Sequence, residues 1–597
     1  MLVLDFEVFK YDWLVVIYDI KNKEYTTIIN NKNKLQEFYN NHQTELYITY
    51  NGNHYDYSIL RAILSDVDPY LVSKLIVADG KKPWLIEKSL KIKQISLNTC
   101  DLMVDLLGIS LKELEAYMEM SIEESDVSFD LDRKLTQEEI DITVKYCKHD
   151  VDATTKFLED RAGYIKSKFI LMNMFNLPKR ILSMTSAQIA ATVLQAQRID
   201  RKEDALIYNF PDTLVLNKYN QMLPMYQKQL DYRDKFILNV AGVDHLYSYG
   251  GLHGAIPNFS YIGEMWQIDA TSYYPTMILQ YNYIRNIKDF ERYRYIYEER
   301  VRQKKLNKDI SSALKLVLNS TFGAFKASFN DFFDEHMSNQ ICISGQLFIT
   351  DLIEKIEPYC KLVHTNTDGM LIIPYDKDKI KEELDKFEKR TRIKFEIDVC
   401  NSIYQKDVNN YLITFEDGHI KSKGGYVGQY NRKGADRNVM QICDIAIVDY
   451  FAKHIPVEKT INECQDIFKF QIITKTGGTY GHTYWNSKNG DIEIQRINRV
   501  YASKDKEHGN IFKTKIDLKS GKLRKDSVAN VPEHSIVDND NKLTINDIDK
   551  INNTIIKILW NLWIALSFEK ICDIDKEWYI EITKKRIKDY IGEEKWK

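Results

Sequence analysis

Residues 363–372 read VHTNTDGMLI, a polar knot between apolar ends. Val363 opens the stretch, and Met370 to Ile373 have the composition of a buried strand. Asn-Thr-Asp-Gly between them is tight-turn chemistry, with Gly369 able to take φ > 0. The stretch therefore predicts a β-hairpin with one carboxylate, Asp368, at or beside its tip. An acid in that place is either an ordinary turn residue or half of a metal site. The second reading requires a partner carboxylate on a neighbouring strand, and it makes Asn366 a question, since a second acid would serve a metal better than an amide.

The partner is found upstream. EMWQIDATSYYPTMIL, residues 264–279, reads as a strand, a turn and a helix, with Pro275 suited to the first helical position. Asp269 ends the apolar strand, and the hairpin is expected to lie beside it. Two carboxylates so placed can hold two Mg²⁺ ions, one lowering the pKa of a hydroxyl and one clamping a triphosphate. Residues 285–326 read as two helices carrying 11 Lys and Arg against 5 acids. Lys315 and Asn319 are four apart and share one helix face. Backbone N–H groups of Ser272, Tyr273 and Tyr274 are candidates for phosphate binding at a helix start.

A second set of acids lies at the N-terminus. LVLDFEVF, WLVVIYDI and ELYITYN read as strands, and 136–161 as a long helix capped by Thr136 with Glu139 three residues on. Asp5 and Glu7, two apart on an apolar strand, point to one face, which is costly unless a cation neutralises them. Asp56 ends YNGNHYD five residues after Asn51, and Tyr146 and Asp150 lie four apart in one helix. Four carboxylates are about what two divalent ions need to activate a water against a phosphodiester, and Tyr146 is placed to orient that water. Singly, each of these reads as an ordinary surface or capping residue; their order along the chain is what sets them apart. Asp101, in LNTCDLM, is a further acid without an assigned part.

The remaining composition sets bounds. A chain of 597 residues with 44% hydrophobic and 28% charged content implies a multidomain globular protein. No apolar run spans a bilayer, and the acid-bearing first residues do not form a signal peptide. Eight scattered cysteines without C-x-x-C or zinc spacing fit reduced thiols, hence a cytoplasmic location. With a net charge of −3, any contact with DNA must come from local basic patches.

Two known families share these motifs. Asp5/Glu7, Asp56 and Tyr146/Asp150, in that order, resemble the three motifs of the DnaQ-like 3′–5′ exonucleases. DATSYYPT (269–276) is similar to the D-x-x-S-L-Y-P-S motif of family B DNA polymerases, KLVLNSTFG (315–323) to their K-x-x-x-N-S-x-Y-G helix, and HTNTDG to their Y-x-D-T-D-S hairpin. The resemblance implies a mixed α/β and α+β multidomain protein, an RNase H-like exonuclease followed by a right-hand polymerase. It implies an exonuclease at 1–165, a helical connector at 166–245, palm at 246–284 and 323–450, short helical fingers at 285–322, and thumb with the C-terminal region at 451–597. The last part is expected to be helical with one basic, turn-rich insert at 504–525. The larger relatives' extra N-terminal domain is expected to be absent. Mg²⁺, two ions per site and replaceable by Mn²⁺, is the implied cofactor. Primer-template DNA and dNTPs are the implied partners of a monomer that replicates phage or mobile-element DNA, with replication accessory proteins as further candidates. Tyr274 takes the place of the ring beneath the sugar that excludes a 2′-hydroxyl, and Gly323 permits approach of the nascent base pair.

The sequence departs from the pattern in four places. Asn366 stands at the first hairpin acid, the less essential of the two in the family. Phe322 replaces a tyrosine. In YSYGGLHG the tyrosine of the family's Y-x-G-G hinge is shifted, leaving Tyr247 or Tyr249 to act with Gly250 and Gly251 in DNA contact. In YQKDVNNYLI, Tyr411 matches the family's K-x-Y element but Asn409 stands at the lysine, so Lys406 or Lys423 is expected to supply the charge. The alternatives are an exonuclease with a decayed polymerase half, a protein-primed polymerase and a non-catalytic nucleic-acid scaffold.

Overall fold

A computed structural model describes residues 1–106, 108–199, 207–227, 235–436, 440–516, 522–538 and 573–592. The chain folds into two compact units. Unit one comprises Met1–Thr185, Arg432–Met440 and Gln465–Lys576; unit two comprises Ser186–Asn431, Gln441–Cys464 and Glu577–Lys597.

Unit one is built on a five-stranded sheet of β1 (Leu2–Val8), β2 (Trp13–Asp19), β3 (Glu24–Ile29), β4 (Leu46–Thr49) and β5 (Asn98–Asp101), in the order β3-β2-β1-β4-β5. The first three strands form an antiparallel meander, and β4 and β5 run parallel to β1. Every residue of β1 except Asp5 is buried, as expected of a central strand covered on both faces. The helix Gln137–Asp160 packs on β1 and β2 behind a capping box of Thr136 and Glu139, as the sequence predicts.

Unit two carries a nine-stranded antiparallel sheet. Its strands are β6 (Phe236–Val240), β7 (Val243–Tyr247), β8 (His253–Ala255), β9 (Phe259–Ala270), β10 (Cys360–Asn366), β11 (Gly369–Pro374), β12 (Phe395–Asp407), β13 (Asn410–Phe415) and β14 (Ile420–Lys423). They run in the order β14-β13-β12-β9-β11-β10-β8-β7-β6. The expected helix pair is present as Phe290–Leu306 and Lys308–Ala324. The helix Glu335–Ile356 is buried around its whole circumference from Met337 to Ile353, the environment of an element at the centre of a core.

Several expectations are corrected. Residues 166–245 do not form one helical connector: they divide between the units after Thr185, and 236–247 form the hairpin of β6 and β7. Pro275 is the third residue of the helix Tyr273–Tyr281, which starts from Ser272 in the left-handed region (φ 56°). The C-terminal part is not chiefly helical among the described residues. It holds β15 (Ile472–Lys475), β16 (His482–Ser487), β17 (Gly490–Ile494), β18 (Ile497–Ala502), β19 (Ile511–Ile516), β20 (Leu523–Ser527) and β21 (Ser535–Val537), forming two small sheets of unit one. Period-two segments such as HTYWNS and IFKTKI carry that signal, and the turn SKNG closes the first onto GDIEI as a hairpin. The basic insert at 504–525 accordingly contains β19 and the start of β20. A helix does follow at Lys576–Ile591, while 539–572 lie outside the described residues. No helix among the described residues is long and apolar enough to cross a membrane.

Candidate active sites

In unit one, Asp5 and Glu7 project from one face of β1 towards the helix Gln137–Asp160. The Cys147 thiol on that helix donates to the Asp5 carbonyl at 3.3 Å and lies 3.6 Å from Asp5 Oδ2. Asp56 is the first residue of the helix Asp56–Leu64, and its role is not to cap that helix. Because β4 meets β1 only at Leu2 and Val3, the Phe6 N–H beyond them is available, and Asp56 Oδ1 accepts it at 3.1 Å. The structure thus gathers Asp5, Glu7, Asp56 and Asp150, all buried or nearly so.

Lys112, which no motif pointed to, completes this cluster. Its Nζ bonds Asp150, donates to Glu115 Oε1 at 3.0 Å and lies 4.5 Å from the centroid of the Tyr146 ring. It rides on the short helix Leu111–Tyr117, fixed by a Ser110–Glu113 capping box. That box is legible in SLKELEAY, but the direction in which the helix points Lys112 is not. Asp101 adds to the repulsion on Asp56, but its own carboxylate is committed to backbone groups. It accepts from the backbone N–H groups of Asn51 (2.9 Å), Asn53 (2.9 Å) and Met103 (3.0 Å), and so shapes the loop ahead of Asp56.

Burial and mutual repulsion raise the proton affinity of all four acids. Asp5 and Glu7 are held well above the usual carboxylate range, Asp56 at about 7 and Asp150 at about 6, the last despite the opposing charge of Lys112. Such a cluster favours cations, and four carboxylates at the rim of a buried strand supply the hard oxygen donors that suit Mg²⁺ or Mn²⁺.

In unit two, the hairpin β10/β11 has Thr367 and Asp368 at its tip, with Asn366 opposite Gly369. Gly369 does not take the positive φ; Thr367 does, at 62°. The glycine serves another purpose. It lies opposite Asp269 across β9/β11, and a Cβ there would overlap Asp269 Oδ1. The Ala270 N–H donates to the Asp368 carbonyl at 2.8 Å, locking the two acid-bearing segments together. Burial raises the pKa of both carboxylates, and Asp269 raises that of Asp368 further. Asn366 faces away: its Nδ2 donates at 3.2 Å to the carbonyl of Val408 in the β12–β13 turn.

Asp368 borders a cavity of about 430 Å³ that is also lined by Ser272, Tyr273, Tyr274, Lys315 and Asn319. Five of the six residues expected to bind nucleotide therefore line one cavity, and Gly323 does not. The Tyr274 ring stacks on Phe322 at 4.3 Å, whereas Tyr273 is buried with its hydroxyl donating to the Gly345 carbonyl at 2.6 Å. Gly323 is exposed, with no atom within 4 Å of where a Cβ would stand. Arg300 also lines the cavity and bonds Ser272 Oγ.

The basic residues differ from expectation. Lys421 Nζ lies 3.7 Å from Asp269 Oδ2, and Gln267 Nε2 donates to the same oxygen at 2.5 Å. Lys423 sits opposite Tyr411 on β14 and near Asp368, while Lys406 packs over the Tyr426 ring at 5.0 Å. So β14 brings two lysines, Lys421 as well as Lys423, near the carboxylate pair. K-S-K at period two is the signal that marks it, once β14 is recognised as a strand. Tyr411 is buried beside His364 at 5.0 Å. Tyr249 is buried against Tyr208 and Tyr226, and Tyr247 bonds Thr350, so neither ring is presented to a ligand. Gly251 packs against the hairpin tip, whereas Gly250 is tied to the helix Glu335–Ile356. Gln346 donates to the Gly250 carbonyl at 2.6 Å, and a Cβ on Gly251 would overlap Thr367 Oγ1.

No protein-family model matches the chain, and no curated protein does. Among solved structures, the family B DNA polymerase from the hyperthermophilic archaeon Pyrobaculum calidifontis aligns over 99% of this chain and 78% of its own length, with 11% identity and a TM-score of 0.41.

Proposed function

We propose that the chain is a template-directed DNA polymerase with a 3′–5′ proofreading exonuclease, one activity in each unit. The observation that carries this reading is the cavity of unit two, where Asp368, at the hairpin tip tied to the end of the Asp269 strand, faces Lys315, Arg300 and the Tyr274–Phe322 stack. In this reading Lys315 and Arg300 bind the phosphates of an incoming dNTP, and Asn319 orients it from the same helix face as Lys315. Tyr274 lies beneath the sugar, where a 2′-hydroxyl would clash with its ring. Lys421 and Lys423 approach the primer strand, and Lys421 limits the repulsion between Asp269 and its neighbours.

Asp269 and Asp368 would hold two Mg²⁺ ions, as Asp5, Glu7, Asp56 and Asp150 would in unit one. When bound, such ions lower the proton affinity of a primer 3′-hydroxyl or a water and neutralise phosphate charge. In unit one, Tyr146 positions the attacking water, and Lys112 holds Asp150 in its charged form while packing against the Tyr146 ring. Primer extension tests both activities together. Purified protein with Mg²⁺ is expected to lengthen a primer-template when dNTPs are present and to shorten it when they are withheld. Shortening without lengthening would leave a nuclease alone, and binding without either would leave a scaffold.

A further inference from the structure

Unit one has a groove of about 510 Å³ apart from the carboxylate cluster. Its walls come from the helices Pro69–Val77 and Pro83–Ser89 and the loop between them. At one end stand Asn53 and His54, from the loop that leads directly into Asp56. The outer wall is Trp84, 60% exposed, an unusual setting for an indole. Val77, Leu71 and Leu85 are exposed on the same two helices.

The charge of the groove is one-sided. Lys81 and Lys82 are both exposed on it, Lys81 in only a solvent-exposed pair with Asp79. The single acid of the lining, Glu87, is buried and already engaged by Ser58 (2.6 Å), Arg61 (3.0 Å) and Gln94 (2.8 Å). The floor therefore adds little repulsion for an anion. An exposed aromatic face with adjoining lysines is the chemistry that holds single-stranded nucleic acid, whose bases stack while its phosphates meet cations. The core of a protein interface is instead depleted of lysine.

We propose that this groove is a track for single-stranded DNA leading to the four-carboxylate cluster, with a base stacked on Trp84 and phosphates on Lys81 and Lys82. The proposal rests on the exonuclease reading of that cluster. It commits the substrate to an unpaired strand several nucleotides long, since the groove begins beyond Asn53 and His54.

Binding is measured by the anisotropy of a fluorescein-labelled oligothymidylate in EDTA, where nothing is cleaved. Trp84→Ala and Trp84→Leu should each raise Kd about tenfold or more, and Trp84→Phe should restore most of the affinity. Lys81→Gln with Lys82→Gln should flatten the slope of log Kd against log salt by about 1.4, the loss of two phosphate contacts. In Mg²⁺, the same tryptophan variants should raise KM for shortening of the oligonucleotide. Hydrolysis of the p-nitrophenyl ester of thymidine 5′-monophosphate, too small to reach the groove, should be unchanged. If the wild type neither shortens the oligonucleotide nor hydrolyses the ester, the exonuclease reading itself falls. If the wild type does both and Trp84→Ala keeps its Kd and KM, or slows the ester equally, the track is overturned. Unaltered affinity in Trp84→Leu would point to an apolar protein partner and likewise overturn it.

Discussion

At Gly369 the side chain that is missing matters more than any that could be present. A turn glycine normally supplies a positive φ, yet here Thr367 does that, and Gly369 makes room for the Asp269 carboxylate. Gly369→Ala should therefore displace Asp269 without straining the hairpin. Extension should fall about a hundredfold, the scale of an ångström-level misplacement, with exonuclease activity intact and the melting temperature little changed. Full extension by this variant would show that the carboxylate need not sit where the structure has it. The same scale answers the question of Asn366. Its amide donates to the Val408 carbonyl, a bond that an ionised carboxylate cannot make. An amide at this position thus ties the hairpin to the β12–β13 turn.

The strand β1 and the helix Gln137–Asp160 together confine four acids, and the cost of confining them depends on pH. Burial chiefly, with mutual repulsion, puts the folded-state pKa values of Asp56 and Asp150 at about 7 and about 6, above their unfolded values. The folded state then binds more protons, so this contribution favours folding at low pH and is lost as pH rises through those values. In EDTA, the melting temperature of unit one should fall between about pH 5 and pH 8, and Mg²⁺ should restore more of it at the upper end. Asp56→Asn should flatten both dependences. Differential scanning calorimetry across that range checks this, and a melting temperature that rises with pH in EDTA would contradict the charge arrangement.

Across the whole molecule, the two carboxylate sites share no residue and lie in different units. Asp368→Asn should reduce extension about a thousandfold or more, the cost of a direct metal ligand, and leave shortening of a primer intact. Asp5→Ala combined with Glu7→Ala should do the reverse. Gel assays of each variant with and without dNTPs measure the separation, and loss of both activities in either variant would mean that the sites are not independent.

The acids and the cavity residues are legible in the sequence because each is fixed by local periodicity: two apart on a strand, four apart on a helix, or at the tip of a short turn. Such spacings survive whatever the rest of the chain does, and Asp5, Glu7, Asp269, Lys315, Asn319 and Asp368 all stand out in this way. Lys112, Arg300 and Lys421 do not, because each reaches its partner from an element whose direction is set by packing against distant segments. The seven strands between Ile472 and Val537 escape a reading of the sequence for a related reason: short alternating runs rich in Lys, Asn and Thr give a weak signal until their pairing partners are known. The sequence, through the order of its acids and their resemblance to known motifs, pointed to which of them could act together. The register that set Gly369 against Asp269, the curl that brought β14 to the carboxylates and the exposed ring of Trp84 were decided only by the tertiary structure, since each depends on contacts between residues far apart in the chain.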